Sequence, residues 1–209
     1  MVPQMATEDT IKWVLTNSGE FTIKSAWEAI RRSYPSSSWS KLIWFHGNIP
    51  RAAFILWLAI KGKLSTNDRS HNPQVDPCCL LCNDALESHH HLFFECPMSL
   101  QIGHGILQKA NMNVPQLPWE DLIEWLSSNW KGTTLFVRIL KLSLYSTVYS
   151  IWQERNTRLH ENRSRNAETI TQMILGTVRM RLSTYNKVEN NELNRKLQQD
   201  WELPDSIYI

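Results

Sequence analysis

The sequence predicts a mainly α-helical protein: a compact cysteine- and histidine-bearing helical domain with a small N-terminal β-hairpin, followed by an α-helical hairpin or bundle. Three observations carry this. Apolar residues recur every three or four positions through long stretches of the C-terminal half. Proline, glycine and short polar residues stand where such stretches begin and end. Strand-like runs are confined to the first part of the chain.

In chain order, Trp13-Val14-Leu15 and Phe21-Thr22-Ile23 flank an Asn17-Ser18-Gly19 turn and read as the hairpin, spanning Ile11 to Ile23. Ser25-Ala26-Trp27-Glu28 has capping-box form and starts a helix with Trp27 and Ile30 on one face, ended by Pro35 and serines. Trp39 to Phe45 is a short helical piece. Pro50 suits the first position of a helix running from Ala52 to Lys61 and closed by Gly62; it is apolar nearly all round and should be the most buried element of this half. Leu64 to Ser70 predicts another short helix, and His71 to Pro77 a loop. Pro97 opens a helix to about Ala110, and Trp119 to Trp130 forms an amphipathic one. The longest periodic stretch, Thr134 to about Asn162, carries Leu135, Ile139, Leu142, Tyr145, Tyr149, Trp152 and Leu159 without a proline. Ala167 to about Val188 is a second long helix, Asn190 to Trp201 a third, and the tail after Leu203 is expected to be loose. Helices joined by short links pack most simply as a hairpin or bundle.

The most informative stretch is CLLCNDALESHHHLFFEC, Cys79 to Cys96. Cys79 and Cys82 form a C-x2-C pair, and His91 and Cys96 an H-x4-C pair. Two thiolates from a tight turn and an imidazole plus a thiolate from a helical turn suit a tetrahedral zinc ion. A closed four-ligand site leaves no position for a reacting water, so it builds structure. A disulfide pair or buried apolar thiols are the alternatives, and the lack of a secretory signal in MVPQMATEDT weighs against the disulfide. Cys78, His89 and His90 crowd the set. Cys78 lies outside the C-x2-C frame and is assigned as a bystander; His91, which leads into the apolar LFF, is preferred over His89 and His90 as the fourth ligand.

Composition is ordinary, 42% apolar and 20% charged, apart from ten tryptophans. The longest apolar run, Ala52 to Ile60, is far short of the roughly 20 residues of a membrane span, and the reading is of an intracellular protein, nuclear or cytoplasmic. Charge is unevenly placed: residues 131–187 carry ten Lys/Arg against three Asp/Glu, while residues 1–130 carry ten against twelve. A basic helical segment can be an electrostatic footprint for nucleic acid, or a solvated face.

GEFTIKSAWEAI, WSKLIWFHGNIPRAAFILWLAIKGKLSTNDR and CLLCNDALESHHHLFFECP together resemble the zinc-binding domain of reverse transcriptases, in the form found in plant non-LTR (LINE-type) retrotransposons. YSIWQERNTRLHEN resembles the segment that follows that domain in such polyproteins. The resemblance implies a reverse-transcriptase zinc-binding domain over 1–112, with its core at about 19–97, and a helical C-terminal extension over 113–209. It places the family's Cys-Cys-His-Cys pattern on Cys79, Cys82, His91 and Cys96, with one structural zinc ion. It also implies an accessory nucleic-acid-binding role, with RNA or DNA and other retroelement proteins as partners.

The Tyr-x-Asp-Asp signature of a polymerase is absent, and acids are scattered singly or cap helices, which argues against two-metal chemistry and against a ribonuclease H unit. The expectation is a non-enzyme that contacts phosphates with basic residues and bases with aromatic rings. Candidate contacts are Lys61, Lys63 and Arg69 beside the metal site, and Arg155, Arg158, Arg163 and Arg165 on the long helix. A protein-interaction or scaffold role through exposed tryptophans such as Trp39 or Trp130, or an inert truncated fragment of the element, is the alternative.

Overall fold

A computed structural model describes residues 11–31, 37–70, 76–185 and 188–208. The chain divides into two units, Met1–Ser37 and Ser38–Ile209. In the first, the Trp13 N–H donates to the Gly19 carbonyl at 2.7 Å, and the Trp13 and Phe21 rings meet edge to face at 5.0 Å. This is the expected reversal, but the expected β-hairpin has no strands. The helix cap lies three residues earlier than predicted, and the helix takes up part of the second arm. Thr22, in extended backbone, accepts from the Ser25 N–H, and the Ser25 hydroxyl accepts from the Thr22 N–H, so the capping box is Thr22/Ser25 and not Ser25/Glu28. Helix α1 (Ile23–Ile30) buries none of its residues, and Ile23, Trp27 and Ile30 are all exposed. Pro35, expected to end it, lies outside the described residues.

The second unit is built around one long helix. In chain order it holds α2 (Ser40–Ile43), α3 (Pro50–Ile60), a 3-10 turn at Asn67–Arg69, a π turn at His91–Glu95, α4 (Pro97–Lys109), α5 (Trp119–Asn129), α6 (Leu135–Glu161), α7 (Ala167–Ser183), α8 (Glu192–Asp200) and a 3-10 turn at Asp205–Ile207. Helix α6 packs against α3, α4, α7 and α8. Its N-terminal half is buried nearly all round from Ile139 to Ser146, whereas Leu159, predicted on the same stripe, is exposed. Thr134 caps it, accepting from the Val137 N–H at 3.3 Å, and Asn162 ends it in the left-handed conformation at φ 52°. Helix α3 packs against α6 and buries Ala52, Ala53, Leu56 and Ala59, the three alanines being small enough to allow close approach. It is the most buried of the described elements before the metal site, yet it is not buried all round: Arg51 and Phe54 face solvent.

Three further expectations are corrected. Leu64 to Ser70 is only a 3-10 turn. Helix α7 ends at Ser183, short of Val188, because Val188 is engaged elsewhere: its N–H donates to the Ile207 carbonyl at 3.0 Å, forming a bridge to Tyr208. The tail after Leu203 is therefore held, with Ile207 fully buried.

Basic side chains of α6 and α7 are spent largely on backbone carbonyls. Arg181 donates to the carbonyls of Gly47 and Asn48 at 2.9 and 3.1 Å, Arg138 to that of His46, and the buried Lys141 to that of Lys41. Burial pushes the Lys141 pKa down, with help from nearby Arg138. Gly47 sits at φ 89° where a Cβ would overlap the Tyr185 hydroxyl, which itself donates to the His46 carbonyl. The loop that leads into α3 is clamped from below by these groups. Among the described residues no helix is long and apolar enough to cross a membrane.

Candidate metal centre

The first half of the site is a tight knuckle. Cys78 bridges Leu86, the Cys79 N–H donates to the Ala85 carbonyl at 2.7 Å, and the Glu87 N–H donates to the Pro77 carbonyl at 2.8 Å. The Asn83 N–H bonds back to the Cys79 carbonyl, and Asn83 takes the left-handed conformation at φ 56° that lets the chain return. The second half explains the H-x4-C spacing. On an α-helix, residues five apart lie about 140° apart around the axis. Here the Cys96 N–H donates to the His91 carbonyl at 2.7 Å, a π-type closure that brings the two ligands onto one side of a single wider turn. Pro97 then opens α4 with Cys96 at its N-cap.

These halves converge. The ligand atoms of Cys79, Cys82, His91 and Cys96 all lie within 4.8 Å of one another. Cys79 Sγ and Cys96 Sγ are 4.0 Å apart, and Cys82 Sγ and His91 Nε2 are 3.3 Å apart. Tetrahedral zinc, with Zn–S about 2.3 Å and Zn–N about 2.0 Å, requires ligand–ligand edges of about 3.5–3.8 Å. The donor set and its spacing fit that ion. Cys79, His91 and Cys96 are buried and Cys82 is half-buried. No two of the four cysteines are joined in the structure. A hydrogen bond from the Cys79 thiol holds Cys96 down to about 5, opposed by burial and aided by the Ser99 and Met98 N–H groups at the start of α4. Cys79 is correspondingly pushed up. A thiolate is thus favoured at Cys96, the form a metal needs.

The competing residues point elsewhere. His89 packs between Phe93 and Trp119, at centroid distances of 5.1 and 5.9 Å, and burial lowers its pKa. His90 is exposed and faces Glu95 at 3.4 Å. Cys78 is turned toward Asp76, whose hydrogen bond raises the thiol's pKa. We expect Cys78→Ser and His90→Ala each to keep one zinc per chain by elemental analysis, and His91→Ala to lose it; loss in either of the first two would displace His91 or the C-x2-C frame from the ligand set.

The knuckle is gripped by α6. Glu87, 1% exposed, accepts from Arg155 (Nη2 at 2.9 Å, Nε at 3.1 Å) and from the Asn67 N–H at 2.9 Å. Arg155 also donates to Asn67 Oδ1, and Asn67 donates to the carbonyls of Asp76 and Cys78. Glu154, equally buried, accepts from Arg158 and from the Arg165 side chain and N–H. Arg158 reaches on to the carbonyls of Leu80 and Leu81, between the first two ligands, at 3.0 and 2.9 Å. Arg155 and Arg158 are therefore internal struts, their donors taken up inside the protein. Arg165 is largely committed to Glu154, and the exposed Arg163 pairs with Glu161. Lys61, Lys63 and Arg69 remain on the surface. Sequence reasoning missed Glu87, Asn67 and Glu154. Only the Glu154/Arg158 pair, four apart on one helix, left a readable signal. Trp130, expected to be exposed, is buried at 6%.

Residues 21–102 match the family model described as zinc-binding in reverse transcriptase. No curated protein and no solved structure matches the chain. The four residues of the cluster and both arms of the site fall inside the matched segment, so residues 21–102 are similar to a zinc-binding domain of the reverse-transcriptase type.

Proposed function

We propose that the protein is a non-catalytic, zinc-stabilised nucleic-acid-binding module derived from a plant LINE-type reverse-transcriptase polyprotein. In this reading residues 1–112 form the zinc-binding domain and residues 113–209 a helical extension that braces it. The observation that carries the proposal is the closed four-ligand cluster in a segment of reverse-transcriptase type. When bound, the ion cross-links the knuckle to the π turn; four protein ligands leave it no open position for a substrate or water. The protein's own residues would then supply the nucleic-acid surface, with Lys61, Lys63, Arg69 and Arg163 as the cations left outside. The partner is RNA or DNA in an intracellular compartment.

The test is binding of fluorescein-labelled single-stranded RNA and DNA to the zinc-loaded chain across a salt series. Affinity should fall linearly in log–log form, with about −0.7 in slope per phosphate neutralised. Binding that is absent, or insensitive to salt, would overturn the reading. A second reading, a protein-interaction module, is favoured by the exposed row Ile23, Trp27 and Ile30 on α1; salt-insensitive capture of a partner lost in Trp27→Ala would support it.

A further inference from the structure

We propose that the outer face of α3 is the surface on which single-stranded nucleic acid lies, its bases on Phe54 and Trp57 and its phosphates on the cations at either end. This rests on the nucleic-acid reading above and gives it a site. Residues 51, 54, 57, 58 and 61 fall at three- and four-residue spacing, one stripe of the helix opposite the alanine face that packs on α6. Phe54 is 50% exposed, and its ring lies 5.6 Å from the half-buried Trp57. Arg51 precedes this aromatic pair on the stripe and Lys61 follows it, with Lys63 and Arg69 just beyond the helix end. Lys61 is held over the Trp39 ring at 5.1 Å, and Arg69 donates to the Gly62 carbonyl.

Charge decides the class of partner. From Pro50 to Ser70 there are four Lys/Arg and one acid, Asp68. Among the described residues none of the four cations is paired with a carboxylate, whereas Arg155, Arg158, Arg163 and Arg165 all are. An aromatic pair between unpaired cations suits a polyanion that also presents flat rings, which is a single strand with its bases unstacked. A duplex hides those faces, and a plain polyanion has none.

The experiment measures anisotropy of labelled single-stranded RNA and DNA, with duplex DNA and heparin as competitors, on the zinc-loaded chain. Phe54→Ala should weaken single-strand binding by about fivefold or more. Arg51→Glu/Lys61→Glu should weaken it further and flatten the salt slope by about 1.4, two contacts' worth. A charge-matched control, Lys131→Glu/Lys196→Glu, both exposed and neither on α3, should do much less. Melting temperature and zinc content verify folding; if the double variant melts early, Arg51→Glu alone replaces it. Wild-type binding that survives the α3 variants, or falls equally in the control, overturns this site while leaving the nucleic-acid reading intact. No salt-sensitive binding by the wild type overturns both. Heparin bound as tightly, with Phe54→Ala neutral, also overturns it, since stacking would then contribute nothing.

Discussion

Replacing Cys96 with serine should cost the protein its zinc and the order of everything between Asp76 and Glu95, while most of the helical signal survives. Cys96 is both a ligand and the residue that closes the π turn and opens α4. Apart from the ligand cysteines, the knuckle and π turn bury only Leu81, Leu92 and Phe93 as large apolar side chains. Three such side chains contribute about 1.5–3 kcal/mol each. Ordering some twenty residues costs roughly 1–2 kcal/mol of backbone entropy apiece. Burial alone therefore cannot hold this segment, and metal binding must act as folding free energy. None of the four ligands lies on α3, α6 or α7, so these helices should persist. The expected result is zinc falling from one per chain to none, a melting temperature lower by about 10 °C or more, and loss of amide protection confined to the knuckle and π turn. Strong chelators should do the same to the wild type. A variant that keeps its zinc, or melts as the wild type does, would remove the ion from the account of the fold.

The second large effect is expected at Glu87. Its carboxylate, Arg155 and Asn67 are all buried, and together they tie the knuckle, the 3-10 turn and α6. Glu87→Ala strands a guanidinium in the interior and leaves the Asn67 N–H without its acceptor. Breaking a buried pair from one side costs about 3–5 kcal/mol, whereas replacing both partners with apolar groups is often neutral. Glu87→Ala and Arg155→Ala should thus each lower stability by that amount in urea unfolding. Glu87→Leu/Arg155→Met should be far less damaged than the sum of the single effects. Single variants within 1 kcal/mol of wild type would mean the pair is solvated, contrary to its burial. Because the network touches the backbone of Cys78 through Asn67, the single variants should also release zinc to chelators faster.

Local grammar was legible along most of the chain. Pro97 at the start of α4, Thr134 and Asn162 bracketing α6 and the C-x2-C knuckle follow from rules that act over a few residues. The N-terminal hairpin and the end of α7 misled for a common reason: a nearby competitor took the residues. The Thr22 cap drew Ile23 into a helix, and pairing with Tyr208 drew Val188 out of one. His91 over His89 was preferred from its place before LFF; in the structure His91 joins the three cysteines, while His89 packs against Phe93 and Trp119, with Trp119 arriving from α5.

By itself the sequence determined the class of fold and pointed to Cys79, Cys82, His91 and Cys96, the four residues that converge, because residue spacing and helix caps are short-range. What only the tertiary structure decided was the meaning of the positive charge. Residues 131–187 look like a basic footprint when read as a string, yet most of their described cations are bonded to carboxylates and carbonyls of distant segments. A guanidinium has the same formal charge whether it meets water or a buried Glu87. Its partner is set by which helices pack together, and that depends on contacts between residues 68 and more positions apart.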